Sequence, residues 1–163
     1  MKAAEQGEAE AQCNVGLMFE KGRGVAQSDE HAAKWFKDSA KRGFSEAQCH
    51  IGRMYLHGKG VVQSDVEAVR WYRKAAHLGL AHAQFKLGLM LESGSGVALN
   101  YPEAAQWIQK AANQGHAGAQ CSLGHLFEKG RGVVVSDAEA ARWYRKSADL
   151  GDSDAQFALC ILF

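Results

Sequence analysis

The chain has 163 residues, 47% of them hydrophobic and 23% charged, which is typical of a globular domain and argues against intrinsic disorder. Nineteen basic and eighteen acidic residues leave a formal charge of +1, so the sequence predicts no nucleic-acid partner. No stretch approaches the roughly 18 apolar residues of a membrane span, and the N-terminal segment is too polar for a signal peptide, so we expect no membrane insertion.

The sequence repeats itself every 36 residues. Ala-Gln pairs and nearly all glycines recur in this register. The tryptophans recur in it as Trp35, Trp71, Trp107 and Trp143. We therefore expect one array in residues 1–163: a tail of a preceding repeat (1–7), repeats 1 to 4 (8–43, 44–79, 80–115 and 116–151) and a half repeat (152–163).

Repeat 2 shows the predicted elements in chain order. Residues 44–57 place Ala47, Ile51 and Met54 at helical spacing, which predicts an amphipathic helix, here called helix A. Gly58-Lys59-Gly60-Val61 follows. Because glycine adopts positive φ readily, we expect this segment to end helix A and turn the chain.

A second helix, helix B, is predicted to begin after this loop. Ser64 and Glu67 have the spacing of a capping box, in which each side chain bonds the backbone N–H of the other residue. The same box recurs at Asn100 with Glu103 and at Ser136 with Glu139. Ser28 is followed by His31 instead, so repeat 1 is expected to have the weakest start of helix B. Helix B ends near Gly79, and so short a connection predicts antiparallel neighbours.

Small and large residues alternate in these helices for a packing reason. Gly52 and Ala75 allow close approach, while Tyr55 and Trp71 fill the space between repeats. One helix pair cannot bury so many aromatic side chains, but stacked pairs can. The sequence therefore predicts an all-α fold, an α/α superhelical solenoid of helix–turn–helix repeats.

The repeat pattern A-Q-x-x-[ILV]-G-x-[ML]-[YFL]-x-x-G-x-G-V-x(6)-A-x-x-W resembles the Sel-1-like repeat, a relative of the tetratricopeptide repeat, over essentially the whole chain. Departures are small: Cys160 stands where glycine is expected, Ile108 replaces an aromatic residue and Asp38 replaces lysine. The resemblance implies a non-enzymatic scaffold that binds proteins or peptides. Because some such proteins are exported by bacteria, it leaves the compartment open.

The cysteines are not expected to form disulfides. Cys13, Cys49 and Cys121 occupy one position in different repeats, so packed helices separate them by about 10 Å or more. A disulfide needs Cα atoms within roughly 7 Å. Relatives built on disulfides carry two cysteines in each repeat, a pattern absent here. We therefore expect small, buried hydrophobic side chains.

The sequence predicts no metal site, cofactor or catalytic residue. His50 and His57 share a helix face, but roughly 10 Å along the axis separates them, too far for one zinc ion. The loops GRGV, GKGV and GSGV lack the Gly-Lys-Ser/Thr ending and the preceding strand of a phosphate-binding loop, so we interpret them as turns. No Ser/His/Asp or Cys/His pair stands out from the repeat register.

A binding surface should use positions that differ between repeats, because the recurring positions serve packing. By analogy with tetratricopeptide arrays, helix A lines a concave side, and its variable rows are expected to form a groove for a protein or for an extended or acidic peptide. The candidate contact residues are Asn14, Leu17, Lys21, His50, Arg53, His57, Lys86, Leu89, Ser122, His125 and Lys129. The alternative is a solvated face that varies freely.

Two other roles remain open at this point. The apolar residues 160–163 favour self-association through exposed repeat ends, and the chain would then be a structural spacer or oligomerisation segment. A regulatory repeat region attached to an unseen enzyme is the third interpretation.

Overall fold

The computed structural model describes residues 8–162, which form nine α-helices and no strand. The helices are α1 (Ala9–Lys21), α2 (Asp29–Lys41), α3 (Ser45–His57), α4 (Asp65–His77), α5 (Ala81–Ser93), α6 (Tyr101–Asn113), α7 (Ala117–Lys129), α8 (Asp137–Asp149) and α9 (Ser153–Leu162). Odd-numbered helices are helix A and even-numbered ones are helix B. The predicted all-α repeat fold is confirmed. The predicted tail 1–7 and Phe163 lie outside the described residues.

The chain divides into two compact units, Met1–Leu80 and Ala81–Phe163. In the first unit, α1 packs on α2, α2 on α3 and α3 on α4. In the second unit, α5 through α9 pack on one another in the same consecutive way. Each unit therefore buries its apolar surface between successive antiparallel helices.

Glycine ends helix A and turns the chain, as predicted. Gly22, Gly58 and Gly130 follow their helices at φ of 64°, 65° and 66°, and the N–H of each donates to a carbonyl in the last turn. The second glycine of the loop also has positive φ, 66° at Gly60 and 73° at Gly132. These are the conformations that favour glycine over any residue with a Cβ.

Helix B forms one of the two hydrogen bonds that the capping-box pattern predicts. In every repeat the cap side chain accepts the third backbone N–H. The backbone N–H of Ser64 donates to the carbonyl of Tyr55 in helix A, and Ser28 does the same to Phe19. The predicted hydrogen bond from the Ser64 N–H to the Glu67 side chain is therefore wrong, because this N–H already donates to Tyr55 across the loop. In repeat 1, His31 Nδ1 lies 2.8 Å from Ser28 Oγ, so the ring supports the cap.

The glycine in the middle of helix A faces a large side chain of helix B. A Cβ on Gly52 would lie 3.3 Å from the ring of Tyr72, and one on Gly124 would lie 2.5 Å from the ring of Tyr144. The close approach predicted for this position is therefore a contact between the glycine of helix A and an aromatic ring of helix B. Tyr72 and Tyr144 are nearly inaccessible to solvent as a result.

The core of the first unit spans two repeats. Trp71 of α4 packs in one cluster with Phe36 of α2 and Ile51 of α3, and only 5% of its surface is exposed. Trp35, its equivalent in repeat 1, is half-buried. The predicted packing of the tryptophan between repeats is therefore seen for Trp71.

The glutamine of the Ala-Gln pair closes the turn between consecutive repeats. Gln48 Nε2 donates to the carbonyl of Ala40 at 3.2 Å, and Gln120 Nε2 donates to that of Ala112 at 3.2 Å. Both side chains are buried. A polar residue recurs here because it ties the start of helix A to the end of the preceding helix B.

Candidate functional site

All the predicted contact residues lie on the surface of helix A. Each of them retains solvent exposure, and Asn14, Lys21, His57, His125 and Lys129 are the most open. Leu17 packs against the core cluster of the first unit, so packing alone accounts for a leucine at that position. Arg53 and His57 in the first unit, and His125 and Lys129 at the same register positions in the second, line a pocket near the C-terminal end of their helix A.

Arg53 is engaged by the preceding helix A in the first unit. Its Nη2 donates to Glu20 Oε1 of α1 at 2.6 Å and lies 3.3 Å from His50 Nδ1. The Glu20 side chain is only 14% exposed, whereas that of Arg53 is 40% exposed. His50 stacks on Phe36 at 4.7 Å, and its burial, aided by the Arg53 charge, lowers the pKa of the imidazole. The ion pair holds α1 and α3 together at this surface.

A pocket of about 280 Å³ opens beside this ion pair. Its lining is Glu20, Arg53, Met54, His57 and Lys59. Among the described residues, the side chains of His57 and Lys59 have no hydrogen-bond or ion-pair partner. Two permanent cations therefore face one carboxylate, and the pocket is positively charged even with a neutral imidazole.

A pocket of the same volume occupies the corresponding place in the second unit, between α5 and α7. It is lined by Glu92, Ser122, His125, Lys129 and Arg131. Arg131 pairs with Glu92 at 3.1 Å, and Lys129 pairs with Glu128 at 2.6 Å. Both pockets thus combine a glutamate from one repeat with basic residues from the next.

His125 belongs to a hydrogen-bonded chain in this second unit. The Tyr144 hydroxyl donates to Glu128 Oε2 at 2.7 Å, so its oxygen accepts from His125 Nδ1, also at 2.7 Å. The tyrosine has one proton to give, and this assigns the imidazole proton to Nδ1. Hydrogen bonds from Lys129 and Tyr144 lower the pKa of Glu128, which keeps its carboxylate charged.

Lys86 lies next to a pair of histidines that sequence reasoning did not single out. His116 caps α7 by accepting the Ala119 N–H at Nδ1, 3.2 Å away, so its proton is on Nε2. That nitrogen lies 3.4 Å from His82 Nδ1 and donates to it. Burial, with the Lys86 charge, lowers the pKa of His116.

A pocket of about 640 Å³ lies between α7 and α9. His125, Glu128 and Lys129 form its polar side, and Phe157 and Ile161 form its apolar side. Phe157 and Ile161 are 68% and 69% exposed. This is the surface on which the predicted self-association through a repeat end would depend.

The glutamates are the site residues that sequence reasoning missed. Glu20, Glu92 and Glu128 share one register position, and Leu56 occupies it in repeat 2. The recurrence of glutamate at this position was a signal in the sequence. However, the side chains that these glutamates bind across helices lie in the following repeat or on helix B. Only packing of successive helices brings them together.

Residues 8–162 contain no group of three or more histidine, cysteine or acidic side chains able to hold a metal ion. Within the same range, each helix is too short or too polar to cross a lipid bilayer.

The Sel1 repeat family model matches residues 9–44, 45–80, 81–116 and 117–152. Two solved structures resemble the chain closely. A Sel1 repeat protein from Oxalobacter formigenes shares 38% identity at a TM-score of 0.89, covering 94% of this chain and 63% of that one. A protective antigen present in uropathogenic Escherichia coli strains, described as displaying an SLR fold, shares 40% identity at a TM-score of 0.93, covering 96% of this chain and 34% of that one.

The Helicobacter pylori cysteine rich protein B shares the fold, with 24% identity, a TM-score of 0.62 and coverage of 78% of this chain and 96% of that one. No protein with a curated description matches the chain. The chain spans less than two thirds of the length of the two more similar relatives. Four consecutive matched repeats, together with identities near 40%, show that the chain belongs to the Sel1 repeat family.

Proposed function

We propose that this chain is a non-enzymatic scaffold that binds a protein or peptide along its helix A face. Sel1 repeat proteins generally mediate protein–protein interactions and are typically non-enzymatic. One observation carries the finer proposal: in each compact unit a pocket opens between successive helices A, and its lining includes the register positions of Arg53 and His57, which differ between repeats. The recurring residues are occupied in the core, so the variable ones are those available to a partner.

The helix B side offers a different kind of surface. Its exposed positions include Arg70, Gln106 and Arg142. Arg70 and Arg142 pair with glutamates three residues earlier in the same helix, at 3.4 Å in each case. Such pairs within a helix are typical of a solvated face. This contrast supports the helix A face as the binding surface.

The test is site-specific photo-crosslinking in cells of the source organism. A photoreactive amino acid placed at Asn14, His57 or Ser122 should crosslink to a shared partner. The matched control carries it at Arg70 or Gln106, where the same partner should not be captured. Equal capture from both faces, or capture from helix B alone, would contradict the proposal.

A second candidate role is self-association, and the exposed Phe157 and Ile161 favour it. Large exposed apolar side chains on adjacent turns of α9 lower the free energy of association when a second copy covers them. Light scattering should then show a concentration-dependent mass, and Phe157→Ser with Ile161→Ser should abolish it. A constant monomer mass at high concentration would exclude this role for the chain.

A further inference from the structure

The pocket of the first unit holds more hydrogen-bond donors than the protein uses. Arg53 uses Nη2 for Glu20 and His50, while its Nη1 and Nε donors have no acceptor among residues 8–162. The side chains of His57 and Lys59 line the same pocket and make no hydrogen bond or ion pair to the described residues. Because a guanidinium carries five N–H donors, most of this one remains open to a ligand.

The charges of the pocket select the kind of ligand. Glu20 is nearly buried and already paired, so it cannot serve a cationic ligand without losing the ion pair. Arg53 and Lys59 together exceed its charge, and the exposed groups are the basic ones.

Resting on the function proposed above, we infer that this pocket receives an acidic side chain, glutamate or aspartate, of an extended partner peptide. Arg53 and Lys59 donate to the carboxylate, and His57 closes the pocket on the solvent side. The equivalent pocket of the second unit is less available, because Lys129 and Arg131 are both engaged by glutamates. The first unit therefore supplies the anchor for the acidic residue.

The basic residues of the pocket are not required by the repeat itself. Repeat 3 has Ser93 and Ser95 in the register of His57 and Lys59. Serine is therefore compatible with this turn of the fold. Repeat 1 has Arg23 in the register of Lys59, with no helix A before α1 among the described residues to complete a pocket. Arg23 therefore gives a matched control.

The experiment uses the full chain and two fluorescein-labelled decapeptides, one alternating glutamate with serine and one alternating glutamine with serine. Fluorescence anisotropy should show binding of the acidic peptide about tenfold tighter than binding of the neutral one. His57→Ser with Lys59→Ser should weaken binding of the acidic peptide about fivefold or more. Arg23→Ser should change it less than about twofold, although it removes one permanent positive charge, as the double variant does.

Each contrary result overturns the inference. Equal affinity for the two peptides, or no binding of the acidic peptide to the wild-type chain, would show that the pocket does not recognise carboxylates. An equal or larger loss in the Arg23→Ser variant would show general attraction to a basic surface. In each case crosslinking of the native partner from the helix A face would still support the function proposed above, so the two failures are distinguishable.

Discussion

Gly60 of repeat 2 lies directly against the backbone carbonyl of Asp29, the first residue of α2 in repeat 1. A Cβ at this position would overlap the carbonyl oxygen and carbon. Gly132 stands in the same relationship to Tyr101 in the second unit. The loop glycine therefore serves two purposes: it adopts a positive φ, and it lets one repeat touch the next.

We expect Gly60→Ala to destabilise the fold more than Gly24→Ala. Both glycines have positive φ, 66° and 72°, so the backbone strain of alanine is similar. A Cβ at Gly24 meets only Met18 Cε at 3.9 Å, whereas at Gly60 it meets backbone that cannot move aside. The difference in free energy of unfolding should be about 1–3 kcal/mol by urea denaturation. Similar losses in both variants would contradict a contact between repeats.

Trp71→Ala should cost about 3–5 kcal/mol of unfolding free energy, the usual effect of removing a buried aromatic side chain. Trp35→Ala is the matched control: the same residue type in the same register is only half-buried, so the loss should be clearly smaller. Thermal melting followed by circular dichroism measures both. If the two melting temperatures fall equally, burial against the neighbouring repeat does not determine the contribution of Trp71.

Stability should fall as the pH drops below about 6.5, partly because of His116. The pKa of this imidazole is lowered in the folded state, so the unfolded chain binds the proton first. A proton on Nδ1 would also oppose the Ala119 N–H that the ring caps. His116→Asn keeps a capping oxygen without titrating in this range, so the slope of stability against pH between 7.5 and 5 should decrease. An unchanged slope in urea denaturation would contradict this role.

Buried thiols should resist alkylation. Burial, with nearby acidic residues, raises the pKa of Cys13 to about 12 and that of Cys121 to about 11. The thiolate is the reactive form, so both should react slowly, while exposed Cys160 should react first. Iodoacetamide labelling at pH 8 followed by peptide mass spectrometry measures the three rates, and Cys160→Ser removes the fast one. Labelling of Cys13 as fast as Cys160 would contradict its burial.

The repeat and its helices could be predicted from the sequence because rare residue types recur in phase. Trp71 and Gly58 mark the same points in every repeat, and each has a local physical reason. The capping box was only half right: the cap side chain of Ser64 depends on its own helix, but its backbone N–H is taken by Tyr55 across the loop. A sequence pattern does not show that the Tyr55 carbonyl competes with the Glu67 side chain for this N–H.

The site was less predictable. Variation between repeats identified Arg53 as a surface residue, but its partner Glu20 is 33 positions away, on a helix that only stacking brings near. Gln48 was recognised as recurrent without a role, because its acceptor is a backbone carbonyl, which every residue possesses. The spacing of residues along the chain predicts helices and their caps. Contacts that depend on the packing of successive repeats can be identified only in the three-dimensional structure.

The division of each pocket between two repeats limits how the array can be rearranged. Removing residues 45–80 would excise one whole helix pair and leave the register of the remaining helices intact. Glu20 would then meet repeat 3, which has Leu89, Ser93 and Ser95 where repeat 2 has its three basic residues. Gain or loss of a single repeat, harmless to the core, would therefore erase the charge pattern at the junction. The smallest segment that could be duplicated or exchanged with its recognition chemistry intact is two repeats long.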